Sequence, residues 1–101
     1  MAKLITVLWR DIPAQIIAKE KRHSVKVKLS ERFSEAIDRA AMRAGKGSSD
    51  AYLADWRRVS VVCSNDLQAE AEAAAARYER EYDAARLLKL IRNKGDEPDA
   101  A

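Results

Sequence analysis

The stretch Ser24-Val25-Lys26-Val27-Lys28-Leu29 decides the fold class, because its side chains alternate strictly between polar and apolar. Successive side chains of a β-strand point to opposite faces of the sheet, so the pattern predicts a strand that is buried on one face only. A single strand has nothing against which to bury its apolar face, so the rest of the chain has to supply a sheet around it.

Two upstream segments are candidate partner strands. Residues 3–10 are rich in Leu, Ile, Val and Thr and end before Pro13, which predicts a central strand that is apolar on both faces. Residues 14–19 can pair with the lysine-containing strand through a turn at Glu20-Lys21, which would give a three-stranded antiparallel meander. That turn contains no Gly or Asn, the residues that tight hairpins prefer.

Helical patterns follow the strands. Ser30 is a candidate N-cap, and apolar residues recur at helical spacing from Phe33 until Gly45. After the glycine-containing loop, a short second helix is predicted to carry Tyr52 and Trp56 and to end near Arg58. Residues 59–63 are either a fourth strand or an extended connection.

The C-terminal region has no Gly or Pro from Asp66 until Gly95, which predicts one helix of about 26 residues after a capping pair at Asn65 and Gln68. At 1.5 Å per residue this helix would be about 39 Å long and would reach beyond a domain of this size. We therefore expect part of it to be exposed or to lie on another chain. Its alanine-rich side, which includes Ala71, Ala74 and Ala75, is either a docking face or a surface that packs under the sheet.

The predicted fold is one α+β domain over residues 1–92, with a small antiparallel sheet of three or four strands. Two short helices and one long C-terminal helix cover the sheet. Residues 93–101, which include Gly95, Pro98 and three acids, predict a disordered acidic tail.

The composition limits the possible functions. With 101 residues, 48% hydrophobic and 35% charged, the chain forms one small globular domain and not a large enzyme with a deep cleft. No apolar run approaches the roughly 20 residues of a membrane helix, so we expect a cytoplasmic protein that does not bind membranes. Cys63 is the only cysteine and His23 the only histidine. These two residues make a weak catalytic pair, so we expect no catalytic residues, no metal site and no cofactor.

Positive charge is concentrated in the N-terminal part of the chain, because residues 1–28 include seven Lys/Arg and only two acidic residues. The candidate anion contacts are Lys19, Lys21, Arg22, Lys26 and Lys28, with Arg57 and Arg58 elsewhere. No aromatic residue lies between the cations of residues 19–28, so the sequence does not predict stacking on nucleic-acid bases. Nucleic-acid binding would therefore consist of contacts with backbone phosphates. The alternative is a solvated lysine face that deters edge-to-edge pairing of sheets.

Trp9 and Arg10 end the predicted central strand, and these residue types are enriched at binding hot spots. The candidate partner-binding residues are Trp9, Arg10, Tyr52, Trp56 and Arg57. The equal alternative is that Trp9 is a core residue beneath the C-terminal helix.

Several strings resemble a small bacterial family known as virulence factor domains, over residues 3 to about 91. These strings are Leu8-Trp9-Arg10-Asp11-Ile12-Pro13-Ala14-Gln15, Leu29-Ser30-Glu31-Arg32-Phe33, Ala40-Ala41-Met42-Arg43-Ala44-Gly45 and Asp50-Ala51-Tyr52-Leu53 with Trp56-Arg57. The resemblance provides no established activity and no catalytic residues to carry over to this chain. It implies an accessory role in one-carbon metabolism, beside methylenetetrahydrofolate reductase-like and corrinoid methyl-transfer proteins.

These observations predict a non-catalytic accessory or interaction protein, with folate- or corrinoid-dependent methyl-transfer enzymes as candidate partners. The alternative is a nucleic-acid-binding module that uses the basic Lys19–Lys28 hairpin.

Overall fold

A four-stranded antiparallel sheet forms the centre of the protein. The computed structural model describes residues 2–45 and 49–97. The elements are β1 (Ala2–Trp9), β2 (Ile12–Glu20), β3 (His23–Lys28), α1 (Glu31–Arg43), α2 (Ser49–Ala54), β4 (Trp56–Cys63), α3 (Leu67–Glu81) and α4 (Ala84–Arg92). The strands lie in the sheet in the order β3-β2-β1-β4. The predicted α+β class and antiparallel sheet are confirmed. Residues 59–63 belong to the fourth strand, and the second helix ends at Ala54 and not near Arg58.

On one face of the sheet, which we call the helix-covered face, α3 packs over β2, β3 and part of β1. Val59 and Val61 of β4 lie on the same face and are 43% and 54% exposed. The Thr6 hydroxyl on this face lies 3.0 Å from the phenol oxygen of Tyr78. Ala71, Ala74 and Ala75 of α3 belong to one buried cluster with Ile16 and Ala18 of β2. Small side chains let the helix approach the strands closely, so the alanine-rich side of α3 is a packing surface and not an exposed docking face.

The prediction of a single helix after residue 66 is wrong, because the chain bends at Tyr82 and Asp83. Tyr82 leaves the helical region at φ −100° and ψ 70°, and the Asp83 carboxylate accepts the backbone N–H of Arg86 at 2.8 Å as the N-cap of α4. The 15 residues of α3 still make a long helix, but at about 22 Å it does not reach beyond the domain. Asp66, and not Asn65, caps its start.

A carboxylate clamp joins the start of α1 to the end of α3. The backbone N–H and the hydroxyl of Ser30 donate to Glu79 at 2.8 and 2.9 Å, and Arg32 donates to the same carboxylate at 3.0 Å. Burial acts to raise the pKa of Glu79, but these hydrogen bonds and the Arg32 charge outweigh it and hold the pKa below its ordinary value. Ser30 therefore occupies the predicted N-cap position while its side chain binds a different helix.

Residues 93–97 return to the β1–β2 hairpin, although the sequence predicted them to be part of a disordered tail. The Asp11 N–H donates to the Gly95 carbonyl at 2.9 Å, and the Glu97 N–H donates to the Asp11 carboxylate at 2.7 Å. Gly95 lies against the indole of Trp9, which is 0% exposed. The rest of the predicted tail, residues 98–101, and residues 46–48 of the glycine-containing loop lie outside the described residues.

We predict that Gly95→Ala destabilises the protein far more than Gly45→Ala. Both glycines have positive φ, at 96° and 73°, so either alanine carries backbone strain of about 1 kcal/mol. A Cβ at position 95 would lie 2.7 Å from the Trp9 ring, whereas one at position 45 meets nothing within 4 Å. Displacing the buried indole raises the total cost for Gly95→Ala to about 3 kcal/mol. Urea unfolding of both variants measures the difference between their free energies of unfolding. An equal decrease in both variants would show that residues 93–97 do not pack against Trp9.

Candidate functional site

The side of the sheet opposite α3 carries a group of cations. Cross-strand partners point to the same side, and the register pairs Lys3 with Lys19, Lys26 with Ile17, Lys28 with Gln15, and Arg58 with Val7. We call this surface the open face. Its strand positions are Lys3, Ile5, Val7, Gln15, Ile17, Lys19, Ser24, Lys26, Lys28, Arg58, Ser60 and Val62. None of these positions in the four described strands is acidic.

The centre of the open face is apolar. Ile5 and Ile17 lie directly opposite each other in β1 and β2, and Val62 of β4 is 62% exposed. Ile17 is only 7% exposed although it does not belong to the buried cluster under α3. Lys26 is the direct partner of Ile17 in β3, and a lysine stem can lie along such a surface while its ammonium group stays in water. The open face is therefore an aliphatic patch surrounded by cations.

Lys3 and Lys19 form a like-charge pair across β1 and β2. Both side chains are exposed, and they are direct partners in the antiparallel register. The Cβ atoms of such partners are about 5 Å apart, and like charges in this arrangement destabilise the sheet.

A cleft of about 360 Å³ lies where the open face meets α1 and α2. It is lined by Val7, Ala14, Gln15, Lys28, Leu29, Ser34, Ile37, Asp38, Tyr52 and Trp56. The rings of Tyr52 and Trp56 meet edge to face, with centroids 5.8 Å apart. Burial, followed by the nearby Asp38 charge, raises the pKa of Tyr52, and a hydrogen bond from the Trp56 side chain offsets part of this rise. The cleft therefore combines aliphatic and aromatic walls with a carboxylate and an ammonium group.

The structure places the candidate partner-binding residues at the same end of the sheet. Trp9, Tyr52 and Trp56 form one aromatic group, in which Trp9 stacks on Tyr52 at 6.0 Å and donates its indole N–H to the Tyr52 carbonyl at 2.8 Å. Trp9 is fully buried, which agrees with the core interpretation of this residue. Tyr52 and Trp56 are partly exposed and line the cleft.

The two candidate arginines are engaged within the domain. Arg10 donates to Asp55 at 3.2 Å and to the Lys94 carbonyl at 2.8 Å, with a backbone φ of 53° in the hairpin turn. Arg57 donates to the Arg10 carbonyl at 2.8 Å and to Asp11 at 3.0 Å. Both arginines therefore hold the β1–β2 turn in place.

The candidate anion contacts divide into two groups. Lys19, Lys26 and Lys28 lie on the open face, whereas Lys21 and Arg22 form the turn between β2 and β3. Lys21 adopts φ 53°, the conformation for which a glycine was expected at this turn. Sequence reasoning missed Lys3, which only the strand register brings beside Lys19.

A family model described as virulence factor matches residues 7–91. The chain belongs to the virulence factor family. The matched segment covers the cleft and most of the open face, although Lys3 and Ile5 precede it. No curated protein and no solved structure matches the chain.

The geometry of this family member does not support a thiol–imidazole pair. Cys63 and His23 lie on β4 and β3, the two outer strands, so three strand spacings of roughly 4.8 Å separate them by about 14 Å. Burial, and then the nearby Glu70 and Glu20 charges, raise the pKa of the Cys63 thiol, which opposes formation of a thiolate. Within residues 2–45 and 49–97, no cluster of His, Cys, Asp or Glu could hold a metal ion. None of the helices in that part of the chain could span a membrane.

We predict that Lys3→Glu stabilises this family member. The substitution replaces a like-charge cross-strand pair with an opposite-charge pair, which is worth about 0.5–1 kcal/mol and raises Tm by about 2–6 °C. Lys89→Glu makes the same change in net charge in the last turn of α4, where a cation is favourable, so we expect it to give no gain. Thermal unfolding at low ionic strength measures both variants. A lower Tm for Lys3→Glu would show that the lysines on the open face do not repel each other.

Proposed function

We propose that this member of the virulence factor family is a non-catalytic interaction protein whose open face binds an acidic partner protein. The main support is the pairing of Lys3 with Lys19. The described strand positions of this face include no acidic residue. Like charges held directly opposite each other weaken the sheet. Carboxylates from a partner would reduce the repulsion between the two ammonium groups. Because the free protein has this repulsion and the complex would not, its loss would make the free energy of binding more favourable.

The apolar centre of the open face favours a protein partner. Protein interfaces typically have an apolar core with a polar rim, and Ile5, Ile17 and Val62 with the lysines around them match that arrangement. Proteins that bind single-stranded nucleic acids stack bases on exposed aromatic rings. On the open face of the described strands, the positions away from the cleft are aliphatic or polar, and the partly exposed Trp56 of β4 lies on the same side at the cleft end.

For the identity of the partner, we favour a methylenetetrahydrofolate reductase-like protein or a corrinoid methyl-transfer protein. The support for this choice is the one-carbon setting that the family resemblance implies. In such a complex the chemistry and the cofactors would belong to the partner, and this chain would act as an accessory subunit in the cytoplasm.

Nucleic-acid binding is the second candidate function. The lysines of β1, β2 and β3 form one array, and such an array can follow a phosphate backbone. Contacts of this kind make affinity fall steeply with salt.

Co-purification with matched charge variants tests the proposal. The tagged protein, Lys26→Glu and Arg80→Glu are recovered from nuclease-treated lysate of the source organism. Lys26 is exposed on the open face and Arg80 is exposed on α3, so both variants change the net charge equally. We expect an acidic methyl-transfer protein to accompany the wild type and Arg80→Glu, and its recovery with Lys26→Glu to fall roughly tenfold or more.

Three results would contradict the proposal. Equal recovery of the partner with both variants would place the interface away from the open face. Recovery of free monomer alone under gentle conditions would remove the interaction function. Binding of the purified protein to mixed duplex or single-stranded nucleic acid at low salt, with a steep loss as salt rises, would establish the second candidate instead.

A further inference from the structure

We infer that the cleft between the open face, α1 and α2 receives a large aromatic side chain from the acidic partner, and that this residue anchors the complex. The inference rests on the proposed function, because it describes how the same surface selects its partner. The occupant is an acidic segment with one Trp or Tyr, lying along the open face.

The shape of the cleft fits one large side chain. Its volume of about 360 Å³ is at the small end of the range for ligand pockets. Aliphatic walls come from Val7, Leu29 and Ile37, and aromatic walls come from Tyr52 and Trp56. Anchor residues at interfaces are typically large aromatic groups that fill a pocket of this kind near a ring of weaker contacts.

The cleft and the basic surface are continuous. Val7, Gln15 and Lys28 line the cleft and also occupy open-face positions in β1, β2 and β3. A segment whose carboxylates contact the lysines therefore passes the mouth of the cleft. Lys28 is placed to bind a carboxylate adjacent to the anchor.

The polar groups of the cleft favour an aromatic anchor that carries a hydrogen-bond donor. Asp38 is exposed at the rim, and its charge acts on the Tyr52 hydroxyl, so the carboxylate lies close to the aromatic walls. An indole N–H or a phenol O–H can donate to Asp38. The same charge disfavours a carboxylate inside the cleft, so the acidic residues of the segment are directed to the lysines.

The test uses two short peptides of glutamate and serine that differ only in having Trp or Ala at the central position. Each is titrated into the isotopically labelled protein, and NMR shift changes give the affinity and the location of binding. We expect the Trp peptide to shift the Leu29 and Ile37 amides and the Trp56 indole N–H, and to bind roughly tenfold or more tightly than the Ala peptide.

Two variants on α1 separate the cleft from the rest of the surface. Ser34 is exposed and lines the cleft, so Ser34→Phe blocks the cleft without changing the core. Glu35 is exposed one position later and does not line it, so Glu35→Phe is the matched control. We expect Ser34→Phe to reduce the affinity for the Trp peptide to that of the Ala peptide, and Glu35→Phe to retain the wild-type preference.

The outcomes distinguish this inference from the proposed function. If both peptides bind equally and shift only open-face signals, the acidic-partner function stands and the anchor inference is wrong. If neither peptide binds at low salt, both are wrong. If free indole-3-propionate binds the cleft as tightly as the Trp peptide, the cleft is a small-ligand site and the anchor inference is again wrong.

Discussion

Complete burial of Trp9 is the constraint on which the rest of the structure depends. Its ring stacks on Tyr52, its indole N–H binds the Tyr52 carbonyl, and Gly95 lies against its edge. These contacts join the end of the central strand to α2 and to the chain that follows α4. Because Trp9 pairs with Ile12 and with Trp56 across the two neighbouring strands, it also fixes one end of the sheet. The cleft lies beside this end.

The placement of the helices determines which surface is left for binding. The alanine-rich side of α3 covers one face of the sheet over β2, β3 and part of β1. On the other face, α1 and α2 lie over the end that holds Trp9 and Ile12. The remaining part of that face is the basic open face. One continuous surface therefore holds the mutually repelling lysines, an aliphatic patch and an apolar cleft. In an acidic segment with one aromatic residue, the carboxylates would contact the lysines and the aromatic side chain would fill the cleft.

The sequence predicted those features that depend on local patterns. Alternation in residues 24–29 identified β3, and helical spacing after Ser30 identified α1. It could not predict the break at Asp83, because an aspartate cap without Gly or Pro looks like any other polar helix residue. The pairing of Lys3 with Lys19 and the contact of Gly95 with Trp9 join distant positions, and only the strand register and the return of residues 93–97 reveal them.

Cross-saturation NMR on the complex with the co-purifying acidic protein tests the central claim most directly. The protein is deuterated except for labelled methyl groups, and saturation of the protonated partner then marks the methyls in contact with it. The open-face account predicts loss of signal at Ile5 and Val62, with Leu88 of α4 and Leu53 of α2 unaffected although both are exposed. Saturation at Leu88 or Leu53, with the open-face methyls unchanged, would contradict it.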